Sequence, residues 1–375
     1  MKITFVLPHA SLAGGIRVIA IYAERLKKRG HEVCVVSIPP DPISPLQQAK
    51  SLLKGKGWLF NNNASHFDGL DVEHRVIERK RPIADADVPD ADVVIATWWE
   101  TAEWVAKMSE SKGAKAYFIQ HHEVFDYLPK ERVAATWLLP MHKITISQWL
   151  VDLAWTQYGD RNVSLVPNSV DTKQFYAPPR GKQSIPTVGM VYATSYWKGC
   201  DVSLKAFCLA TQKISNLRLV AFGDSPSPDL PLPPGTEYAR CPDQSSLKDF
   251  YARCDMWLFS SRSEGFGLPI LEAMACRTPV IGTPTGAAPE LLADGAGMLV
   301  KSEDPEDMAR AIEQVCKLSD PEWRAMSDAA YATATQYTWD DATDLFEAEL
   351  HTAIDRRQSG DFLDLSKPRA LVSAI

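Results

Sequence analysis

Two glutamates, Glu264 and Glu272, flank Gly265, Phe266, Gly267, Leu268 and Pro269 in the stretch SEGFGLPILEAMA, residues 263–275. Pro269 suits the start of a helix, where its fixed φ is already helical and its missing N–H would have had no partner. The helix is therefore expected to begin at Leu268 or Pro269, with Glu264 in the loop and Glu272 in the first turn. Free N–H groups and the positive dipole end at such a start attract anions, and Gly265 and Gly267 allow a ligand close to the backbone. Two carboxylates repel a phosphate unless they face a neutral, hydroxyl-bearing part of the same ligand. The spacing suits a phosphorylated polyol, and it equally suits a glycine-rich loop with ordinary helix-start glutamates.

Positioning such residues requires a scaffold, and the apolar pattern supplies one. KITFVLP reads as a buried strand, GGIRVIAIYAERLKKRG as a helix ending at Gly30, and HEVCVVSI as a second strand. The alternation continues through DVVIATW, a helix around 100–111, AKAYFIQ, KITIS, a helix from Gln148, and VSLVPNS. A second series runs through TVGMVYA, LRLVAFG, MWLFSS, TPVIGT and GMLV. Two β/α series predict an α/β chain of two Rossmann-like parallel-sheet domains facing each other across a cleft. The break falls near FYAPPRGKQSIP, which gives a first domain over 1–175, a second over 176–355 and a tail over 356–375 that returns to the first. Ligands of such sheets bind beyond the carboxyl ends of the strands. The polar stretches 8–15, 120–123, 167–171, 194–199 and 223–224 are expected there, together with the segment after MWLFSS.

At 375 residues the chain exceeds one ordinary domain. No apolar run approaches the ~18 residues of a membrane span, and no basic-then-apolar leader opens the sequence, so a cytoplasmic protein is expected. Seven cysteines without a C-x-x-C pair fit free thiols. The net charge of −7 is uneven: residues 1–175 hold 21 Lys+Arg against 20 Asp+Glu, and the remainder 19 against 27. That balance argues against a nucleic-acid partner. The basic residues cluster at Arg25, Lys27, Lys28 and Arg29, at Lys50, Lys54 and Lys56, and at Arg79, Lys80 and Arg81.

Taken together, EGFGLPILEAMACRTPVIGTPTGAAPELL, Gly14-Gly15 followed by a helix and RGHEV, VPNSVDTKQF and WKGCDVSLKAF resemble the family 4 glycosyltransferases of the GT-B fold, retaining enzymes that use nucleotide sugars. The match is closest in the C-terminal half. The resemblance implies a nucleotide-diphosphate sugar as co-substrate and no other cofactor. It implies that Glu264 contacts hydroxyls of the donor sugar and Glu272 those of the ribose, and that backbone N–H groups of Gly265, Phe266, Gly267 and Leu268 lie against sugar and diphosphate. Gly15 would approach the phosphate from the first domain, with Asn168 also in the donor site, and the base would lie against the loop Arg240 to Asp243. Lys198 would neutralise the departing diphosphate, where charge develops in the transition state. Of His121 and His122 after AKAYFIQ, His121 is preferred as the donor-sugar contact, whereas His31 is expected to be structural. The family's arginine about six residues before the lysine is absent. Its place is near Tyr192, so diphosphate binding rests on Lys198, backbone groups and the hydroxyls of Thr194 or Ser195.

Asp85-Ala-Asp87 and Asp90-Ala-Asp92 match a D-x-D metal motif, but they precede DVVIATW and are expected to form a solvated acidic turn, with no divalent metal required. The main expectation is a retaining hexosyl- or deoxyhexosyltransferase acting on a saccharide or lipid-linked saccharide in cell-surface polysaccharide or glycoconjugate synthesis. A GT-B sugar-nucleotide epimerase and a non-catalytic sugar-nucleotide-binding subunit are the alternatives. Residues 44–60, SPLQQAKSLLKGKGWLF, combine apolar residues with three lysines and no acid. They suit either a core helix or peripheral contact with the inner face of a membrane, where a lipid-linked acceptor would be met.

Overall fold

The computed structural model describes residues 1–40, 43–53, 57–58 and 64–361. The chain divides into two units. The first holds Met1–Ile146, Leu150–Val166 and the chain from Thr343 onward, and the second holds Ser147–Trp149 and Pro167–Ala342. Apart from the brief excursion at 147–149, the crossings fall at 166/167 and 342/343, where the sequence suggested 175/176 and 355/356. The last crossing lies inside one helix, Trp339–Gln358. Beyond it Phe346 stacks on Tyr22 at 4.2 Å and meets Phe118 edge-on at 5.1 Å.

In the first unit the strands are β1 (Lys2–His9), β2 (Glu32–Ile38), β3 (Glu73–Val76), β4 (Val93–Ala96), β5 (Ala114–Ile119), β6 (His142–Thr145) and β7 (Val163–Leu165). They form one sheet in the order β3-β2-β1-β4-β5-β6-β7, all parallel. The second unit repeats the plan with β8 (Thr187–Tyr192), β9 (Arg218–Gly223), β10 (Glu237–Arg240), β11 (Met256–Phe259), β12 (Val280–Gly282) and β13 (Gly297–Leu299). Their order is β10-β9-β8-β11-β12-β13, again parallel. Central strands such as β1, β4 and β11 are apolar almost throughout because helices cover both faces of a parallel sheet. In each sheet the order reverses beside the first strand, between β1 and β4 and between β8 and β11. Loops leaving those paired strands diverge and open a crevice at the carboxyl edge.

Two edge strands, β3 (EHRV) and β10 (EYAR), were not expected from the sequence. Their side chains are mostly exposed or half-buried, so they lack the apolar run that marks an interior strand. Arg240 accordingly ends a strand and does not lie in a loop. The helix expected around 100–111 is shorter, Trp99–Ala106, followed by a single 3₁₀ turn over Glu110–Lys112.

The acidic stretch before β4 is solvent-exposed at Asp90 and Asp92, as expected, but its carboxylates are all tied. Asp87 takes both Arg81 nitrogens and the Ala84 N–H, Asp85 accepts from the Ser109 N–H, Asp90 from Ser111 and Lys112, and Asp92 from the Lys2 N–H. Much of the basic charge of the first unit is also paired. Lys27 meets Asp71, Lys28 meets Glu24, and Arg29 bridges to Asp344 and Glu347. His31 is structural, held between the N-terminal amine (3.0 Å) and Glu347 (2.8 Å).

Candidate functional site

In the second unit the chemistry gathers beyond β8 and β11, the pair at which the strand order reverses. After β8 the chain makes a 3₁₀ turn, Tyr196–Lys198, passes through Gly199 and enters the helix Cys200–Thr211. Gly199 has φ +61°, and a Cβ there would lie 2.0 Å from the Ser260 carbonyl oxygen, so only glycine lets the two loops approach this closely. After β11 the loop leads to Gly267 (φ +99°), which caps the helix Leu268–Ala275 with Pro269 as its second residue.

Glu264 and Lys198 meet there. Glu264 Oε1 accepts from Lys198 Nζ at 2.6 Å and from the buried Ser261 hydroxyl at 2.8 Å. The glutamate side chain is only 13% exposed, so it is a packed and paired group and not a free loop carboxylate. Val191, Ser203, Ser260 and Pro269 line the pocket around the pair.

The backbone of the loop is held as firmly. Ser147 Oγ and Trp149 Nε1 both donate to the Gly265 carbonyl, at 2.8 and 2.9 Å. In a trans peptide C=O and N–H point oppositely, so these two donors fix the direction of the Phe266 N–H. The Phe266 carbonyl accepts from the Ala287 N–H at 2.8 Å. Leu268 opens the helix beside them.

Glu272 is the fifth residue of that helix, one turn deeper than expected. It is 7% exposed, and its Oε2 accepts from the Tyr251 hydroxyl at 2.8 Å. Tyr251 is fully buried and packs on Trp257 at 4.3 Å. A Cβ on Gly189 of β8 would lie 2.1 Å from the Trp257 ring, so that glycine makes room for the whole stack.

Tyr192, at the position of the absent arginine, has a structural task. Its buried hydroxyl donates to the Leu230 carbonyl and accepts from the Ser227 N–H, each at 2.8 Å, which pins the loop after β9. Thr194 is exposed and Ser195 half-buried nearby. Cys241, next to Arg240, donates its N–H to Gly223 at 2.9 Å, which brings the end of β10 to the end of β9. Asn168 is buried, with its amide oxygen unpartnered among the described residues.

The first unit has its own cluster beyond β1 and β5. Gly15, in the first turn of the helix Gly14–Lys28, accepts from Gln120 Nε2 at 3.0 Å. His121 stacks on Phe125 at 4.9 Å, and its Nδ1 accepts from the Glu123 N–H at 3.1 Å. His122 is committed elsewhere: its Nε2 pairs with the Tyr158 hydroxyl at 2.7 Å, its ring abuts Trp137, and burial lowers its pKa. Glu123 has φ +61° and a buried carboxyl that accepts from the Trp99 N–H at 2.9 Å. Burial pushes its pKa well above the ordinary glutamate range.

Sequence reasoning placed Glu123 only within the polar stretch 120–123, and it missed Tyr251, Arg262 and the Ser147–Trp149 segment. A charge two residues before Glu264 hints at Arg262. No local signal marks the other two. Among the described residues no group of three or more His, Cys, Asp or Glu is arranged to hold a metal ion, and no helix is long and apolar enough to cross a membrane.

Residues 182–317 match the family model described as glycosyl transferases group 1. Among curated proteins, the D-inositol 3-phosphate glycosyltransferase of Mycobacterium leprae (strain Br4923) is 31% identical over 252 residues, 62% of this chain and 55% of that protein. The chain thus matches about half the length of such relatives. Anabaena Alr3699/HepE, solved in complex with UDP and glucose, has a TM-score of 0.71 at 18% identity, over 94% of this chain and 100% of that one. WaaG, a glycosyltransferase involved in lipopolysaccharide biosynthesis, has a TM-score of 0.64 at 15% identity, over 92% and 98%. At these identities the structural likeness establishes the fold, which is GT-B.

Proposed function

We propose that the protein, whose residues 182–317 match the glycosyl transferases group 1 model and whose fold is GT-B, is a retaining glycosyltransferase that moves a hexosyl or deoxyhexosyl group from a nucleotide diphosphate to a saccharide or lipid-linked saccharide. The observation that carries this reading is the Lys198–Glu264 pair set at the mouth of a helix beyond β8 and β11. A cation and a carboxylate in contact at the carboxyl edge match the two halves of a nucleotide sugar, a charged diphosphate and a ring of hydroxyls. UDP and glucose bound to Alr3699/HepE are a ligand pair of this chemistry.

In the proposed reaction the bond between the anomeric carbon and the phosphate oxygen breaks. Lys198 and the N–H groups of Gly265 to Leu268 stabilise the charge that develops on the departing diphosphate. The acceptor hydroxyl attacks the same face, and its proton passes to the leaving phosphate oxygen, so neither a protein base nor a metal is needed. Glu264 accepts hydrogen bonds from the sugar, Glu272 from the ribose, and Arg240 and Asn168 complete the nucleotide site.

A lipid-linked acceptor is supported by the helix Pro45–Leu53. Only Ser51 is buried in it, whereas Leu46 is 82% exposed, Leu53 88%, and Trp58 beyond it 62%. A core helix would cover those residues. Lys54, Lys56, Leu59 and Phe60 of the same stretch lie outside the described residues. Each lysine near an anionic surface contributes about 1 kcal/mol, so the stretch suits the cytoplasmic leaflet and the synthesis of cell-surface polysaccharide.

The test is a panel of nucleotide-diphosphate sugars. The true donor is expected to raise the melting temperature through mass action and to be turned over with retained configuration in excess chelator. Glu264→Gln should abolish transfer while leaving the melting temperature near that of the wild type. Full activity of that variant would overturn the assignment.

A further inference from the structure

Lys198 and Glu264 stand on loops that follow different strands, and a flexible lysine keeps one partner only if its loop is held. Ser260 ties the two loops at their base, its Oγ donating to the Gly199 carbonyl at 2.6 Å, and Arg262 joins them further out. All five of its side-chain N–H donors are engaged. Nε and Nη2 donate to the two oxygens of Glu303 at 2.5 and 2.9 Å, and Nη1 and Nη2 to those of Asp201 at 2.8 and 2.7 Å. Nη1 also donates to the Tyr196 carbonyl at 2.7 Å, and the guanidinium lies 4.1 Å from the centroid of the Tyr196 ring. The backbone N–H of Arg262 adds a bond to the Trp197 carbonyl at 2.8 Å. Glu303 takes φ +60°, a conformation that costs a non-glycine residue about 1–2 kcal/mol. Its double contact with Arg262 offsets that cost. With every donor spent and two carboxylates beside it, Arg262 does not stand in for the absent phosphate-binding arginine.

We propose that Arg262 is a positioning residue: it locks the Tyr196–Lys198 turn to the Glu264 loop and so sets where the cation and the carboxylate meet the donor, without touching the donor itself. This rests on the transfer reaction proposed above. A lysine cannot replace it, because a compact ammonium has three donors, no planar fork and no face to stack on tyrosine.

The experiment is a double-mutant cycle on turnover, with Arg262→Ala, Lys198→Ala and the pair. Arg262→Ala is expected to lower kcat at least tenfold with KM for the donor changed less than threefold, and to add less than twofold in the Lys198→Ala background. Ethylguanidine in solution should restore part of the lost kcat to Arg262→Ala. Equal losses in the two backgrounds, or a change in KM alone, would overturn the proposal. Should Arg262→Ala fail to fold, Asp201→Asn and Glu303→Gln each remove one anchor and are read in the same cycle. A second readout needs no reaction: acylation of Lys198 by an amine reagent, mapped by mass spectrometry, should quicken several-fold in any of these variants. An unchanged rate overturns the lock even if transfer is observed. A wild type that turns over no nucleotide sugar overturns the function and leaves the labelling rate to decide the lock.

Discussion

Glu123 holds a left-handed backbone and a buried carboxyl at once, and both cost free energy. What it returns is local order: its carboxyl caps the Trp99 N–H and its own N–H fixes Nδ1 of His121 as an acceptor, which leaves the proton of the neutral ring on Nε2. The pKa of the carboxyl is raised by burial above the ordinary 4.5. Below that value the group is protonated folded or unfolded. Above it the unfolded chain releases the proton while the folded chain keeps it, so stability falls with rising pH, by up to about 1.4 kcal/mol per pH unit, until the folded-state pKa is passed. Glu123→Gln keeps an acceptor for Trp99 without this penalty. The variant is expected to gain on the wild type in urea midpoint as pH rises from 4.5 to 8. A constant difference across that range would show that the carboxyl is charged in the fold.

Among the loops of the second unit, the close approach at Gly199 carries the geometry of the site. Gly199→Ala must place a Cβ 2.0 Å from the Ser260 carbonyl oxygen as well as adopt φ +61°. Gly235 has φ +82° with nothing within 4 Å of an added Cβ, so Gly235→Ala bears the conformational cost alone, about 1 kcal/mol. Denaturant unfolding should show Gly199→Ala losing at least ~1 kcal/mol more than Gly235→Ala, with Lys198 displaced and turnover reduced in the former only. Equal losses would mean that the loops can part without consequence. Element by element, the strands legible in the sequence are those whose surroundings are uniform. MWLF is apolar at every position because β11 lies between two neighbours and under two layers, whereas EHRV and EYAR read as loops because β3 and β10 are edges.

At the scale of the whole molecule, the described part of 44–60 presents an apolar and basic surface that the fold does not cover, Leu46, Lys50, Leu53 and Trp58. The other basic clusters contribute less than their sequence suggests, since Lys27, Lys28, Arg29 and Arg81 are each paired with carboxylates. Docking is therefore expected to depend on residues 44–60. The intact protein should co-sediment with vesicles containing anionic lipid and not with neutral ones, and should lose that binding when Lys50, Lys54 and Lys56 are changed to Glu. Binding to neither vesicle would favour a soluble acceptor, and equal binding to both would overturn the electrostatic part of the proposal.

Local chemistry made much of this protein readable from its residues. Helix spacing, glycines and Pro269 announce the bend before Leu268, and alternating apolar runs announce two parallel sheets, because each depends on neighbours within a few positions. The partners of the site residues are another matter. Lys198 meets Glu264 from 66 residues away, Arg262 reaches Asp201 and Glu303 over 61 and 41, and Tyr251 reaches Glu272 over 21. Those meetings follow from β8 lying next to β11 and from the buried stack beneath them. Strand order is a property of the whole hydrogen-bonded sheet, and no local window of residues specifies it.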